Sequence, residues 1–291
     1  MWFDTPALRA LIDLALQEDV GVGDAATLST VGPTQRGLAA VRAKDDVIFC
    51  GGPVFAAVVR RVDPSVQVEL LAAEGAHLRR GDVAITLQGT IASILVAERT
   101  ALNFLQRMSG IAAATRAAVD AIAGTNATIL DTRKTLPAFR ALDKYAVRIG
   151  GGGNHRSALD AGILLKENHL AAAGGVAAAV TAAKRAASHL LKVEVEIERL
   201  DQLEPAIAAG ADVVMLDNMD NATMRRAVEI AAGRVQLEAS GNMTLERLRG
   251  VAETGIDFIS IGGLTHTVRA ADLSLRIDRV DAPAAAADTK A

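Results

Sequence analysis

Cysteine is nearly absent from this 291-residue chain, and aromatic residues make up only 3% of it. The single cysteine, Cys50, excludes an intramolecular disulfide framework and suits a reducing compartment. It reads as a small buried hydrophobe rather than a nucleophile. No apolar run approaches the ~20 residues of a membrane span. The first residues carry an acid early and lack a basic start followed by an apolar run, which predicts no secretory signal. Strong positive charge is missing too: the formal net charge is −3, and no basic stripe is interleaved with aromatics. That argues against wholesale nucleic-acid binding. Together these absences predict a cytoplasmic protein that engages neither membrane nor nucleic acid.

What is present is an apolar, alanine-rich chain, 51% hydrophobic, which favours close packing of helices on sheets. Residues 6–18 predict an amphipathic helix with Leu8, Leu11, Ile12, Ala15 and Leu16 on one face. Gly21 and Gly23 follow it, but a dinucleotide-binding loop requires a preceding strand, so Asp24 reads instead as a helix or turn cap. Short alternating segments come next, at 39–43, 47–49, 66–71 and 83–88, with a helix over 53–62. The stretch AEGAHLRRGDVAITLQG is similar to hammerhead folds that carry biotin or lipoate. No lysine lies between Lys44 and Lys134, so a carrier role is disfavoured, and His77 reads as an exposed loop residue. Residues 90–123 predict a helix broken at Ser109-Gly110. Seven strands then alternate with helices, at 128–130, 147–149, 162–165, 192–197, 212–216, 235–238 and 258–261. That alternation argues for a parallel α/β barrel, and the missing eighth strand for an incomplete one.

Chemistry concentrates in residues 131–168, where Arg133, Lys134, Arg148, His155, Arg156 and Lys166 fall near predicted strand ends. A parallel barrel presents its functional side chains there. In KVEVEIE, Val193, Val195 and Ile197 alternate with Glu194, Glu196 and Glu198, so one face is acidic. In a barrel those glutamates point to the lumen, where burial costs several kcal/mol unless cations or metals compensate. Lys166, Lys134 and Arg133 are the expected partners; the alternative is a solvated edge strand. Asp217 closes the next strand, so Glu196 and Asp217 become neighbours whose oxygens suit Mg²⁺. Ser240-Gly241-Asn242 and Gly262-Gly263 end the last two strands. They are either ordinary turns or backbone donors for a phosphate.

Several blocks, in order, resemble the quinolinate phosphoribosyltransferases: LALQEDVGVGDAAT, ERTALNFLQRMSGIA, DTRKTLPAFRALDKYAVRIGGGGNHR, LLKENH, VEVE, VVMLDNM, LEASGN and IDFISIGGLTH. The resemblance implies an N-terminal α/β sandwich-like domain (1–110) and an incomplete, about seven-stranded α/β barrel (111–275); the C-terminal segment (276–291) ends in the low-complexity DAPAAAADTKA, which reads as a frayed tail. It implies transfer of phosphoribosyl from phosphoribosyl pyrophosphate to quinolinate, with Mg²⁺, giving nicotinate mononucleotide, pyrophosphate and CO2. Arg133, His155 and Arg156 would hold the two quinolinate carboxylates, assisted by Lys134 and Lys166, with Thr132 beside them. Arg99 would reach the pocket of a partner subunit in a homodimer. Glu196 and Asp217 would position the ribose and magnesium, forming the catalytic set with Lys134 and Lys166. Ser240, Gly241, Asn242, Gly262 and Gly263 would hold the 5′-phosphate. Leu136 and Ala138 depart from the threonine and glycine frequent in the family. The alternatives are a nicotinate-type phosphoribosyltransferase, a non-catalytic binder of phosphorylated ligands, and a molybdenum-associated paralogue of the same fold.

Overall fold

The computed structural model describes residues 5–281, so the tail beyond Asp281 lies outside the described residues. The chain divides into two units, one formed by residues 1–112 with 269–291 and the other by 113–268. The first begins with α1 (Pro6–Val20), whose Thr5 hydroxyl accepts from Leu8 N, and α2 (Ala25–Thr30), capped by Asp24 as expected. There follow β1 (Arg36–Ala43), β2 (Val47–Ile48), α3 (Gly52–Val62), β3 (Gln67–Leu70), β4 (His77–Leu78) and β5 (Val83–Thr90). The antiparallel sheet of this unit runs from the return strand Leu273–Val280 through β1 and β5 to β3. His77 is exposed, on a two-residue strand paired with β2. The return strand crosses the expected boundary at residue 275. The C-terminal segment thus completes the first unit instead of trailing the barrel.

Helix α4 (Ile91–Ala121) is continuous, which corrects the break expected at Ser109-Gly110. Those two small residues serve close approach instead. Ser109 Oγ accepts from Cys50 N at 3.0 Å and donates to Cys50 O at 3.1 Å. A Cβ on Gly110 would lie 2.2 Å from the Arg269 carbonyl oxygen. Cys50 is fully buried, and burial pushes its thiol up, away from reactivity.

In the second unit the elements are β6 (Thr128–Leu130), α5 (Arg140–Ile149), β7 (Ile163–Leu165), α6 (Glu167–Ala173), α7 (Val176–Ala186) and β8 (Val193–Ile197). Then come α8 (Leu203–Ala208), β9 (Val213–Asp217), α9 (Asn221–Ala231), β10 (Gln236–Ser240), α10 (Leu245–Ala252), β11 (Phe258–Ser260) and α11 (Gly263–His266). The chain ends its described course in the return strand, β12. The six strands of this unit are all parallel, in the order β6-β11-β10-β9-β8-β7, and the barrel is open between β7 and β6.

The seventh strand expected at 147–149 is the last turn of α5. Leu142, Ala146 and Val147 are buried at helical spacing there, while Arg148 is exposed. In its place Gly153 makes a single parallel bridge to Leu130. A Cβ on Gly153 would lie 2.8 Å from Leu130 Cδ2, and one on Gly152 2.9 Å from Thr115 Cγ2. The glycine run thus lets the chain pass flush against β6 without forming a strand. Alternation on β8 follows the sequence pattern: Val193, Val195 and Ile197 are fully buried, Glu194 is buried and Glu196 half-buried. Among the described residues no helix is long and apolar enough to cross a membrane.

Candidate active site

Residues at or beyond the carboxyl ends of the barrel strands line a cavity of about 580 Å³. Thr132, Arg133, Lys134, His155 and Arg156 line it together with Lys166, Glu196 and Asp217. Ser240, Gly241 and Asn242 complete the predicted residues in its wall, together with Asn218 and Ser260, which sequence reasoning missed. Gly262 and Gly263 fall outside this lining. A Cβ on Gly262 would meet Lys134 Cδ at 2.9 Å, so that glycine makes room for the lysine stem. Arg99 is exposed on α4, in the first unit.

The cationic side is held from below by a buried ion pair. Lys144 Nζ lies 2.5 Å from Asp131 Oδ1, with Asp131 wholly buried, and also donates to the His155 carbonyl at 2.8 Å. Asp131 accepts from His155 N at 2.8 Å and Asn154 Nδ2 at 2.6 Å. Burial pushes the Asp131 carboxyl up and the Lys144 ammonium down, each against the pull of its partner. The loop that carries His155 and Arg156 therefore rests on charges hidden from water. Sequence reasoning missed this pair, whose members lie on different elements.

Arg156 donates through Nη1 to Gly162 O at 3.1 Å. Burial, and then the like charge of Arg133, lower its affinity for its proton. Arg133 Nη1 is buried with no hydrogen-bond partner. A buried guanidinium nitrogen without an acceptor costs free energy that an incoming carboxylate relieves. His155 is turned inward. Its Nδ1 accepts from Arg156 N at 2.7 Å, and its Nε2 lies 2.9 Å from Glu194 Oε2 and 3.9 Å from Glu238 Oε1.

Also in the cavity wall, Lys166 Nζ pairs closely with Glu196 Oε2, as expected from the alternation on β8. Asp217, on the adjacent strand, is pushed up by burial and then by the charge of Glu196, against Asn218, Lys166 and Lys134. Two neighbouring carboxylates, one of them holding its proton too tightly, form an oxygen-only donor set. Such a set fits Mg²⁺, which takes one or two carboxylates and fills its other positions with water or phosphate oxygens.

The loops after β9 and β10 lock together. Gly241 has φ +91°, and a Cβ there would lie 2.2 Å from Asn218 Oδ1. Asn218 and Asn242 adopt left-handed backbone at φ 54° and 49°. Asn242 Nδ2 donates to Asn218 Oδ1 at 3.1 Å, and Asn218 N to Ser240 O at 3.0 Å. Arg247 ties both loops from beneath, donating to Met219 O at 2.6 Å and Gly241 O at 3.2 Å.

An open parallel α/β barrel whose mouth holds an unsatisfied guanidinium and two neighbouring carboxylates defines a group-transfer site for anionic substrates. Comparison with known proteins narrows that class. The N-terminal domain of quinolinate phosphoribosyl transferase matches residues 24–109, and its C-terminal domain matches 111–276. A Bacillus subtilis protein described as a probable nicotinate-nucleotide pyrophosphorylase (carboxylating) is 43% identical over 270 residues, 93% of each chain. The chloroplastic nicotinate-nucleotide pyrophosphorylase (carboxylating) of Arabidopsis thaliana is 40% identical, over 93% of this chain and 83% of its own. The solved structure of the nicotinate-nucleotide pyrophosphorylase from Francisella tularensis superposes with a TM-score of 0.90 at 41% identity, covering 94% of this chain and 96% of that one. The chain belongs to the quinolinate phosphoribosyl transferase family.

Proposed function

We propose that this protein transfers phosphoribosyl from phosphoribosyl pyrophosphate to quinolinate and releases pyrophosphate and CO2, forming nicotinate mononucleotide for NAD biosynthesis. The observation that carries this reading is the buried, partnerless Arg133 Nη1 beside a second arginine whose charge it opposes. An orphaned guanidinium nitrogen beside a second, like-charged arginine calls for a rigid dianion, and quinolinate presents two adjacent carboxylates on a planar ring. Arg133 and Arg156 fix the ring, Lys134 and Lys166 add charge, and Thr132 borders them. His155, whose ring nitrogens are turned to Glu194 and Arg156 N, acts on the substrate by positioning Arg156.

With the ring nitrogen directed at the anomeric carbon, departure of pyrophosphate develops positive charge on the ribose. Glu196 and Asp217 stabilise that charge and hold the ribose hydroxyls. Glu196 and Asp217 would hold Mg²⁺, which when bound would offset the charge of the leaving pyrophosphate. Ser240, Gly241 and Asn242 hold the 5′-phosphate, with Gly262 and Gly263 in the following loop. The alkylated ring nitrogen then draws electrons from the neighbouring carbon, and its carboxylate departs as CO2. The protein works in the cytoplasm as a homodimer in which Arg99 serves the partner's pocket.

The deciding experiment supplies purified protein with phosphoribosyl pyrophosphate, magnesium, and either quinolinate or nicotinate. Nicotinate mononucleotide formed with stoichiometric CO2 from quinolinate alone is expected; preference for nicotinate overturns the reading. Mixing inactive Arg99→Ala and Lys134→Ala homodimers under subunit exchange should restore activity, because one site of each heterodimer carries neither defect.

A further inference from the structure

A cavity suited to anions has two buried carboxylates beneath it, and phosphoribosyl transfer as described uses neither. Glu194 and Glu238 rise from β8 and β10, on either side of β9, and neither lines the cavity itself. Glu194 Oε1, Glu238 Oε1 and Ser260 Oγ are all buried without a hydrogen-bond partner. Glu238 is 2% exposed and Ser260 3%, yet Ser260 also contributes to the cavity wall. The nearest ligating atoms of His155, Glu194 and Glu238 lie within 4.8 Å of one another.

Burying a carboxylate this deep, this close to a second one, favours its protonated form. Burial, and next the charge of Glu194, push Glu238 up to about 8, while His155 and Ser260 act the other way. The groups facing Glu238 are Glu194 from β8, His155 from the loop after α5, and Ser260 from β11. Lys144 is committed to Asp131, and Arg156 acts on Glu194. The three acid and imidazole groups also have the spacing of a metal's ligands, but a carboxylic acid that keeps its proton satisfies the same crowding without an ion.

We propose that Glu238 and Ser260 form the path by which the ring carbon is protonated once its carboxylate has left. This rests on the quinolinate reading, in which a carbon–carbon bond breaks inside the pocket. When that bond breaks, CO2 departs and the electron pair stays on the ring carbon beside the alkylated nitrogen. The pair takes the hydroxyl proton of Ser260, and Ser260 takes the proton of Glu238. Glu238 is left briefly as carboxylate beside Glu194, a state the crowding disfavours, so it regains a proton from water before the next turnover. Glu194, whose Oε2 lies 2.9 Å from His155 Nε2, is the carboxylate that crowds Glu238 and favours its protonated form. A neutral acid also explains how the floor avoids repelling a dianion.

The test combines infrared difference spectroscopy with pH–rate profiles on wild type, Glu238→Gln and Ser260→Ala. Wild type should show the carbonyl stretch of a protonated carboxylic acid at neutral pH, lost as pH rises past about 8 and absent from Glu238→Gln. Its kcat should fall over the same range. Glu238→Gln should lower kcat by about 10²-fold or more, the scale of general-acid catalysis, with KM for quinolinate unchanged and the basic limb gone. Ser260→Ala should lower kcat while keeping the infrared band. A Glu238→Gln enzyme with wild-type kcat and pH profile, or no acid band that Glu238→Gln removes, overturns the proposal. Wild type that carries the band but never consumes quinolinate overturns the substrate reading, and the delivery role with it.

Discussion

The two sides of the active-site mouth are rigid for different reasons. The loop bearing His155 and Arg156 is held by full charges, Lys144 against Asp131, in a place water does not reach. The loops bearing Asn218 and Asn242 are held by amide hydrogen bonds and by a glycine that admits no side chain. Where a dianion must be oriented, an electrostatic scaffold sets the field as well as the geometry. Where a phosphate is to be cradled, backbone N–H groups must come close, and steric locking suffices. The first scaffold fails abruptly when one partner is lost, and the second by degrees.

The largest effect should come from Lys144→Ala, which leaves Asp131 buried without its cation. Breaking a buried pair from one side costs about 3–5 kcal/mol, read as a drop in the urea unfolding midpoint with loss of quinolinate binding. Pairing Lys144→Met with Asp131→Asn should recover much of the stability but not the binding. A single mutant as stable as wild type would show that the pair is not the scaffold. Gly241→Ala comes next, since its Cβ meets Asn218 and the backbone is left-handed. It should cost about 1–3 kcal/mol and raise KM for phosphoribosyl pyrophosphate, while calorimetry finds quinolinate affinity unchanged. Equal damage to both substrates would erase the contrast between the two sides.

Arg133→Lys keeps charge but loses the planar fork. Quinolinate affinity should fall by about 1–3 kcal/mol with unfolding unaltered, and wild-type affinity would remove Arg133 from the carboxylate site. The smallest change is a gain. Ala138 sits at φ 65°, which a β-carbon disfavours and glycine accepts, so Ala138→Gly should stabilise by about 1 kcal/mol or less. A lower melting temperature in that variant would mean that the gain in chain entropy on unfolding outweighs the backbone strain.

Much of this was legible in the chain, and the remainder has identifiable causes. Glu196, Asp217 and Lys166 were readable because a strand exposes alternate residues and a barrel orders its strand ends. Asp24 as a cap was readable because the glycines before it follow a helix and not a strand. Residues 147–149 were not, because an apolar–charged–apolar triplet satisfies a strand as well as the last turn of a helix. Only the buried Leu142 and Ala146 decide the period. Ser109-Gly110 looked like a helix break because small residues also end helices; their need for closeness to Cys50 and Arg269 depends on distant chain. Glu238 had no sequence signal, since what makes it unusual is Glu194 across β9. The return of the C-terminal strand to β1 was likewise hidden, because pairing between remote strands leaves no local pattern.

That return strand has a consequence for how the molecule is made. Residues 113–268 are contiguous, so the barrel unit has all its strands as soon as they leave the ribosome. The sheet of the amino-terminal unit does not, because β1 pairs with Leu273–Val280, near the other end of the chain. During synthesis β1 presents an open edge that waits until Leu273–Val280 has been translated, a long-range closure that folds slowly and is exposed to mispairing. The sheet begun before the barrel is thus completed only after it, and a message truncated shortly after the barrel would yield a protein whose antiparallel sheet lacks its outer strand.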